Sequence, residues 1–233
     1  MPEKVIATNE TIRDLVCEAV FKYGPDCDLN FIDVSQVTDM SALFVGFAFN
    51  GDISQWNVSN VTNMSQMFEH SEFNGDISGW DVSNVTDMVL MFKSSQFKGD
   101  KGGISKWNVS KVKDMSGMFL FSRFDGDISR WDVSNVTDMH SMFGASEFNG
   151  DISRWNVSNV TDMEHMFESS QFDGDVSRWN VSNVTNMGTM FFHSKFNGDI
   201  RRWVVSKDAD MSRIFDGSPI ENNPPRWYKD RMK

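Results

Sequence analysis

Eight tryptophans, Trp56, Trp80, Trp107, Trp131, Trp155, Trp179, Trp203 and Trp227, follow one another at intervals of 24 residues with a single step of 27. No tryptophan of the 233-residue chain lies outside this series. A chain that repeats itself every 20 to 50 residues or so builds stacked supersecondary units, because a single unit cannot bury its apolar face alone.

The tryptophan is one of eight apolar columns. In the unit that begins at Phe49 the others are Phe49, Ile53, Val58, Val61, Met64, Met67 and Phe68, and each recurs down the chain. The first column, for example, runs Phe49, Phe73, Phe97, Phe124, Phe148, Phe172, Phe196. A ladder of like apolar side chains, one per turn, is what the interior of a solenoid needs. Of the 16 methionines, all but Met1 and Met232 fall in such columns, so they read as core filler, not as a methionine-rich binding groove.

Within a unit, Gly51-Asp-Ile-Ser54 alternates polar and apolar residues and predicts a short strand with Ile53 inward. Asn60-Val-Thr62 predicts a second extended piece. Asn63, an Asp in most units, precedes Met64, Met67 and Phe68, whose i, i+3, i+4 spacing predicts an N-cap and one or two helical turns. The Asn-Gly or Asp-Gly ahead of the first strand supplies a turn. The expected fold is therefore an α/β solenoid of about eight 24-residue coils, each with short parallel strands and a short helix. The step of 27 comes from Lys98-Gly-Asp-Lys-Gly-Gly103, a surface insertion at one edge of the stack.

The ends break the pattern. Ile12, Leu15, Val16, Ala19 and Val20 share one helical face, with Thr8 or Asn9 as N-cap and Gly24-Pro25 as the stop. Residues 1–27 are thus expected to form an N-terminal helical cap, 28–218 the repeats, and 219–233, with Pro219, Pro224 and Pro225, a C-terminal cap and tail. Cys17 and Cys27 both fall in the first of these segments. A disulfide between them and a pair of buried free thiols are both compatible with the spacing.

Net charge is −11, and the imbalance is uneven: residues 1–100 hold 15 acidic and 5 basic side chains, residues 101–233 hold 18 and 17. An acidic stack with no basic patch argues against nonspecific nucleic-acid binding and against attraction to anionic membranes. Residues 1–8 lack the apolar core of a signal peptide and no run approaches the length of a membrane span. Either the protein is intracellular or an export segment has been removed.

The units Trp-Asn/Asp-Val-Ser-Asn-Val-Thr-Asp-Met-x-x-Met-Phe, joined by Phe-Asn-Gly-Asp-Ile-Ser, closely resemble the repeat of BspA-like bacterial surface proteins over roughly residues 28–218. That resemblance implies a right-handed, leucine-rich-repeat-like solenoid, displayed at a cell surface or secreted, and engaged in adhesion or host interaction. It implies no activity or cofactor.

Two sets of residues remain as candidates for binding. The Asp column (Asp52, Asp76, Asp100, Asp127, Asp151, Asp175, Asp199) stacks outward carboxylates about 4.8 Å apart if strands pair directly, so each needs an offset. Calcium is one candidate, although one Asp per coil is a sparse ligand set for a hard cation. A better offset is the stripe Lys106, Arg130, Arg154, Arg178 and Arg202, which could pair with the Asp column or recognise an acidic ligand. Recurrent Asn-x-Ser/Thr sequons, as at Asn57, Asn60, Asn156 and Asn183, are expected to cap bends, not to carry glycans.

The second set lies on the edge that varies from coil to coil. Val89, Leu90, Leu120, Phe121 and Phe192 place apolar groups where other coils are polar, as a protein contact would. Catalysis finds no support: His70, His140, His165 and His193 are not spaced as metal ligands, and neither a nucleophile turn nor a phosphate loop is present. The expected function is a noncatalytic recognition or adhesion module with a protein partner. A repetitive-surface binder of cations or glycans and a structural spacer are the alternatives.

Overall fold

The structure, a computed structural model, describes residues 3–101 and 103–231. The named elements are few: β1 (Val5–Ile6), α1 (Ile12–Tyr23), β2 (Ile32–Asp33), a 3-10 turn at Pro219–Asn222 and α2 (Arg226–Lys229). Among the described residues, the stretch between β2 and Pro219 is turns, irregular segments and single-residue bridges that repeat with the tryptophan period.

One parallel bridge per repeat runs the length of this region: Asp39 to Asn63, then Asp87, Asp114, Asp138, Asp162, Asn186 and Asp210. Around it, backbone bonds join each repeat to its neighbours. Met64, Gln66, Phe68 and His70 donate their N–H groups to the carbonyls of Asp87, Val89, Met91 and Lys93 at 2.7–3.0 Å. Thr86 N–H returns to Thr62 O at 2.9 Å. Side chains extend the ladder. Trp80 Nε1 donates to Ile53 O at 3.1 Å, and Asn84 Nδ2 to Ser59 O at 2.8 Å. The backbone donors of one coil thus find their acceptors in the next, as buried peptide groups must.

All eight apolar columns point inward. Trp56 is 4% exposed, and Phe49, Val61, Met64, Met67 and Phe68 are fully buried, as their equivalents are to within 1% through the coil of Trp179. Aromatic rings stack coil upon coil nearly parallel: Trp56 on Trp80 at 6.4 Å, Phe68 on Phe92 at 5.5 Å, Phe49 on Phe73 at 6.1 Å. Phe68 also stacks on Phe73 at 4.6 Å, which links neighbouring columns. The glycine of each Asn-Gly-Asp turn lies on the Phe ring two residues before it; a Cβ on Gly75 would stand 2.7 Å from Phe73 Cε2.

The short helix expected after Met64 does not form. Gln66 (φ 58°) and His70 (φ 56°) are left-handed, as are their equivalents in every coil. Met67 N–H bonds Met64 O at 3.2 Å and Ser71 N–H bonds Phe68 O at 3.2 Å, which makes two successive turns with positive φ at the third residue. This geometry frees the N–H groups of Met64, Gln66, Phe68 and His70 to reach the next coil. A helix would consume such donors within the segment. Asn63 is consequently no helix cap: its Oδ1 accepts from Ser65 N–H at 2.9 Å, closing an Asx turn. The strand expected at Gly51–Ser54 shrinks to one bridge, Asp28 to Asp52. In later coils a side chain fills that role, as when Asn50 Oδ1 accepts from Asn74 N–H at 2.8 Å.

At the N-terminus, β1 pairs in parallel with β2, and α1 buries Ile12, Val16 and Ala19 against the first coil. The cap begins with a strand as well as a helix. Asn9, expected at the start of α1, instead completes the first coil: its Oδ1 accepts from Thr38 N–H and its Nδ2 donates to Thr38 Oγ1, both at 2.9 Å. Gly24 ends α1 with φ 93°. Cys17 and Cys27 are free thiols, Cys17 exposed and Cys27 half-buried, so neither a disulfide nor a buried pair is present. At the C-terminus Trp227 Nε1 donates to Ile200 O at 2.9 Å, keeping the column bond of the preceding coils. No helix among the described residues is long and apolar enough to cross a membrane.

Candidate binding edge

The left-handed turns form a long face on which neighbouring coils differ. Residues two and three positions beyond the second methionine column, that of Met67, show the pattern: Glu69-His70, Lys93-Ser94, Leu120-Phe121, Gly144-Ala145, Glu168-Ser169 and Phe192-His193 occupy equivalent places. Their backbones are fixed by bonds between coils, so the side chains can change while the scaffold holds still.

Across the coils of Trp107, Trp131 and Trp155 this edge opens into a cleft of about 110 Å³ lined by Leu120, Phe121, Gly144, Ala145, His165 and Glu168. Gly144 makes the room: a Cβ there would lie 2.8 Å from Leu120 Cδ1. Phe121 is 59% exposed beside it, while Leu120 is half-buried. Val89 and Leu90 are half-buried, and Leu90 packs over Gly117 next to Leu120. Phe192 stands apart, its ring covered by the Arg213 guanidinium at 4.3 Å and edge-on to His193 at 4.1 Å. The five apolar candidates therefore divide into a group around Leu120 and an isolated, covered Phe192.

The polar floor beside the cleft was not apparent from local sequence. His165 Nδ1 lies 2.5 Å from Glu168 Oε2 and 2.6 Å from Thr189 Oγ1. Its Nε2 lies 3.5 Å from Glu164 Oε1. His140 Nδ1 lies 3.7 Å from Glu164 Oε2 and 4.0 Å from Asp162 Oδ1. Asn186 Nδ2 donates to both carboxylates, at 3.2 Å to Asp162 Oδ2 and 3.0 Å to Glu164 Oε2. Local spacing hides this group, but the period reveals it: His140 and Glu164 are 24 residues apart and so occupy one column. Nearby, burial holds the Asp138 carboxyl above its ordinary range, reinforced by Asp114 and Asp162.

Lys106, Arg130, Arg154, Arg178 and Arg202 are all exposed and lie next to the tryptophan column, away from the cleft. Among the described residues none of them comes within 4.0 Å of a carboxylate; the ion pair at the end of the Asp column is made by Arg201, 2.7 Å from Asp199. The Asp column is offset by a different means. Asp52, Asp127, Asp151 and Asp175 accept from the N–H of the serine two residues on, at 2.8–2.9 Å. These bonds lower each carboxyl below its ordinary range, with the neighbouring arginines contributing less. The sequon asparagines are similarly engaged: Asn60 and Asn183 donate to the preceding coil, Asn57 and Asn156 close Asx turns.

The family model of "Mycoplasma protein of unknown function, DUF285" matches three overlapping stretches, residues 17–121, 95–173 and 120–227. The chain belongs to this family. Its overlapping matches reflect the repetition, since a window of the family can be laid on the chain in more than one register of whole coils. No curated protein and no solved structure matches the chain.

Proposed function

We propose that this DUF285 member is a noncatalytic recognition module, a right-handed, leucine-rich-repeat-like solenoid of the BspA-like kind that binds a protein partner and serves adhesion at a cell surface. The observation that carries the reading is Phe121. It is the large apolar side chain most exposed on the variable edge, and it borders the cleft that Gly144 opens. A mostly exposed aromatic beside an apolar notch suits an anchor residue of a partner. A scaffold with a variable edge also fits the way this chain's repeats keep their interior residues and change those of that edge.

The test is selection of binding peptides from a displayed random library against the intact chain. Selected peptides should lose binding to Phe121→Asp and to Leu120→Asp, and keep it when Arg154 and Arg178 are both reversed to Glu. The opposite outcome, binding destroyed by the Arg reversals alone, would transfer the function to the Asp and Arg columns and to an acidic or glycan ligand. No binder in repeated selections would leave a structural spacer.

A further inference from the structure

Beyond protein recognition, and independent of it, we propose that His140, Asp162 and Glu164 bind a divalent transition metal ion of the zinc type, and that His165, which stands outside this converging group against the other oxygen of Glu164, turns in as a fourth donor. Among the described residues, His140, Asp162 and Glu164 are the one group whose ligand atoms converge, all within 4.8 Å of one another. The measured separations suit a metal between them. With bonds of about 2.1 Å, the two separations from His140 Nδ1 to the carboxylates, 3.7 and 4.0 Å, subtend roughly 120° to 145°, and side-chain rotation on binding would draw the remaining donors to tetrahedral spacing.

The second observation concerns the proton on His165. Its Nδ1 faces the Glu168 carboxylate at 2.5 Å, an acceptor only, so Nδ1 carries the hydrogen. The Thr189 hydroxyl, 2.6 Å from the same nitrogen, donates to Gly188 O at 2.7 Å and therefore accepts from His165. In the neutral ring this leaves the lone pair on Nε2, which faces Glu164 Oε1 at 3.5 Å. A carboxylate that fixes one nitrogen of an imidazole so that the other can ligate is the usual support behind a metal-bound histidine. Asn186 provides equivalent support on the carboxylate side, holding Asp162 and Glu164 together against their mutual repulsion. All groups are half-buried and reachable from solvent. Two imidazoles and two carboxylates favour a zinc-type ion over calcium, which takes six or more oxygens.

The experiment is a Co²⁺ titration of the untagged full chain, read by visible ligand-field absorption, with Zn²⁺, Ca²⁺ and Mg²⁺ as competitors. The proposal expects saturable bands at one equivalent, displaced by Zn²⁺ and not by millimolar Ca²⁺ or Mg²⁺. His140→Ala and Glu164→Gln should each remove the bands, and Glu168→Gln should weaken binding about tenfold to a hundredfold by releasing His165. His193→Ala, at an exposed histidine elsewhere on the edge, should change nothing. Near-ultraviolet circular dichroism of the stacked indoles reports whether each variant is folded. Absence of bands in the folded parent, bands that survive His140→Ala and Glu164→Gln, or displacement by Ca²⁺ would each overturn the proposal, the first leaving an ordinary cluster of ion pairs.

Discussion

Replacing Trp155 by Phe isolates the bond that ties each tryptophan to the coil before it. Trp155 is 4% exposed, stacks on Trp131 at 6.5 Å, and donates Nε1–H to Ile128 O at 3.1 Å. Phenylalanine keeps an aromatic ring but removes the donor, and the Ile128 carbonyl keeps only its second bond, from Trp131 N–H at 3.1 Å. Losing one of two hydrogen bonds at a buried acceptor costs about 0.5–1.5 kcal/mol. The smaller ring adds a cavity contribution of roughly 1 kcal/mol, well short of the 3–5 kcal/mol for a full Trp→Ala truncation. The expected loss is therefore about 1.5–2.5 kcal/mol. Trp227→Phe provides the comparison. Trp227 makes the same bond, to Ile200 O at 2.9 Å, but is only half-buried at the end of the stack, so water can replace the lost indole donor and the cost should be about half. Urea unfolding followed by far-ultraviolet circular dichroism measures both. A loss below 0.5 kcal/mol, roughly the noise of a surface substitution, at Trp155, or equal losses at the two sites, would refute the reasoning.

Gln66→Pro should cost about 3 kcal/mol or more, because proline cannot adopt the φ of 58° and its missing N–H breaks the 2.7 Å bond to Val89 O; thermal unfolding checks it. Stability should fall as pH drops from about 4 toward 2. Asp81, Asp127, Asp132 and Asp151 all have carboxyls lowered in the folded state by their Ser partners, so the unfolded chain takes up protons first and stability present above pH 4 or so is lost through that window. Asp138, raised by burial, works in the opposite direction and softens the fall. Asp132→Asn should keep the Asx turn, as Asn156 does at the equivalent position, and reduce the acid sensitivity measured by pH-dependent urea midpoints. Phe121→Asp should change stability by less than about 0.5 kcal/mol in thermal unfolding, since the ring is mostly exposed, and a larger loss would make it a core residue, unsuited to contact.

The interior was legible because every inward position repeats: Phe49, Ile53, Trp56, Val58, Val61, Met64, Met67 and Phe68 each read as a column and each is buried. The local backbone was not, for a physical reason. Met64, Met67 and Phe68 share the spacing of a helical stripe, yet the same spacing serves two tight turns, and only the left-handed residues between them distinguish the two. Those residues are usually Gly or Asn elsewhere, whereas here they include Gln66, Leu90, Phe121 and Thr189. Gly46, Gly117 and Gly217 mark the same two columns and were the faint signal of the turns. The strain is sustained by N–H bonds to the next coil, which no local window contains. The same limit hid His140 and Glu164, neighbours in space because they are one period apart. Charge complementarity between the Arg stripe and the Asp column was visible in the sequence and contributes a secondary attraction, while the Asx turns that hold the Asp residues depend on backbone geometry.

The central claim, that interchangeable 24-residue coils carry the fold and leave one edge free to vary, is tested most directly by deletion. Removing residues 132–155, one full period, joins Trp131 to Asn156 in register. The shortened chain should unfold cooperatively and retain the near-ultraviolet dichroism of its stacked indoles, whereas removal of half a period, 132–143, should abolish both. If the full-period deletion unfolds the chain as thoroughly as the half-period one, the coils are not equivalent stacked units and the account fails.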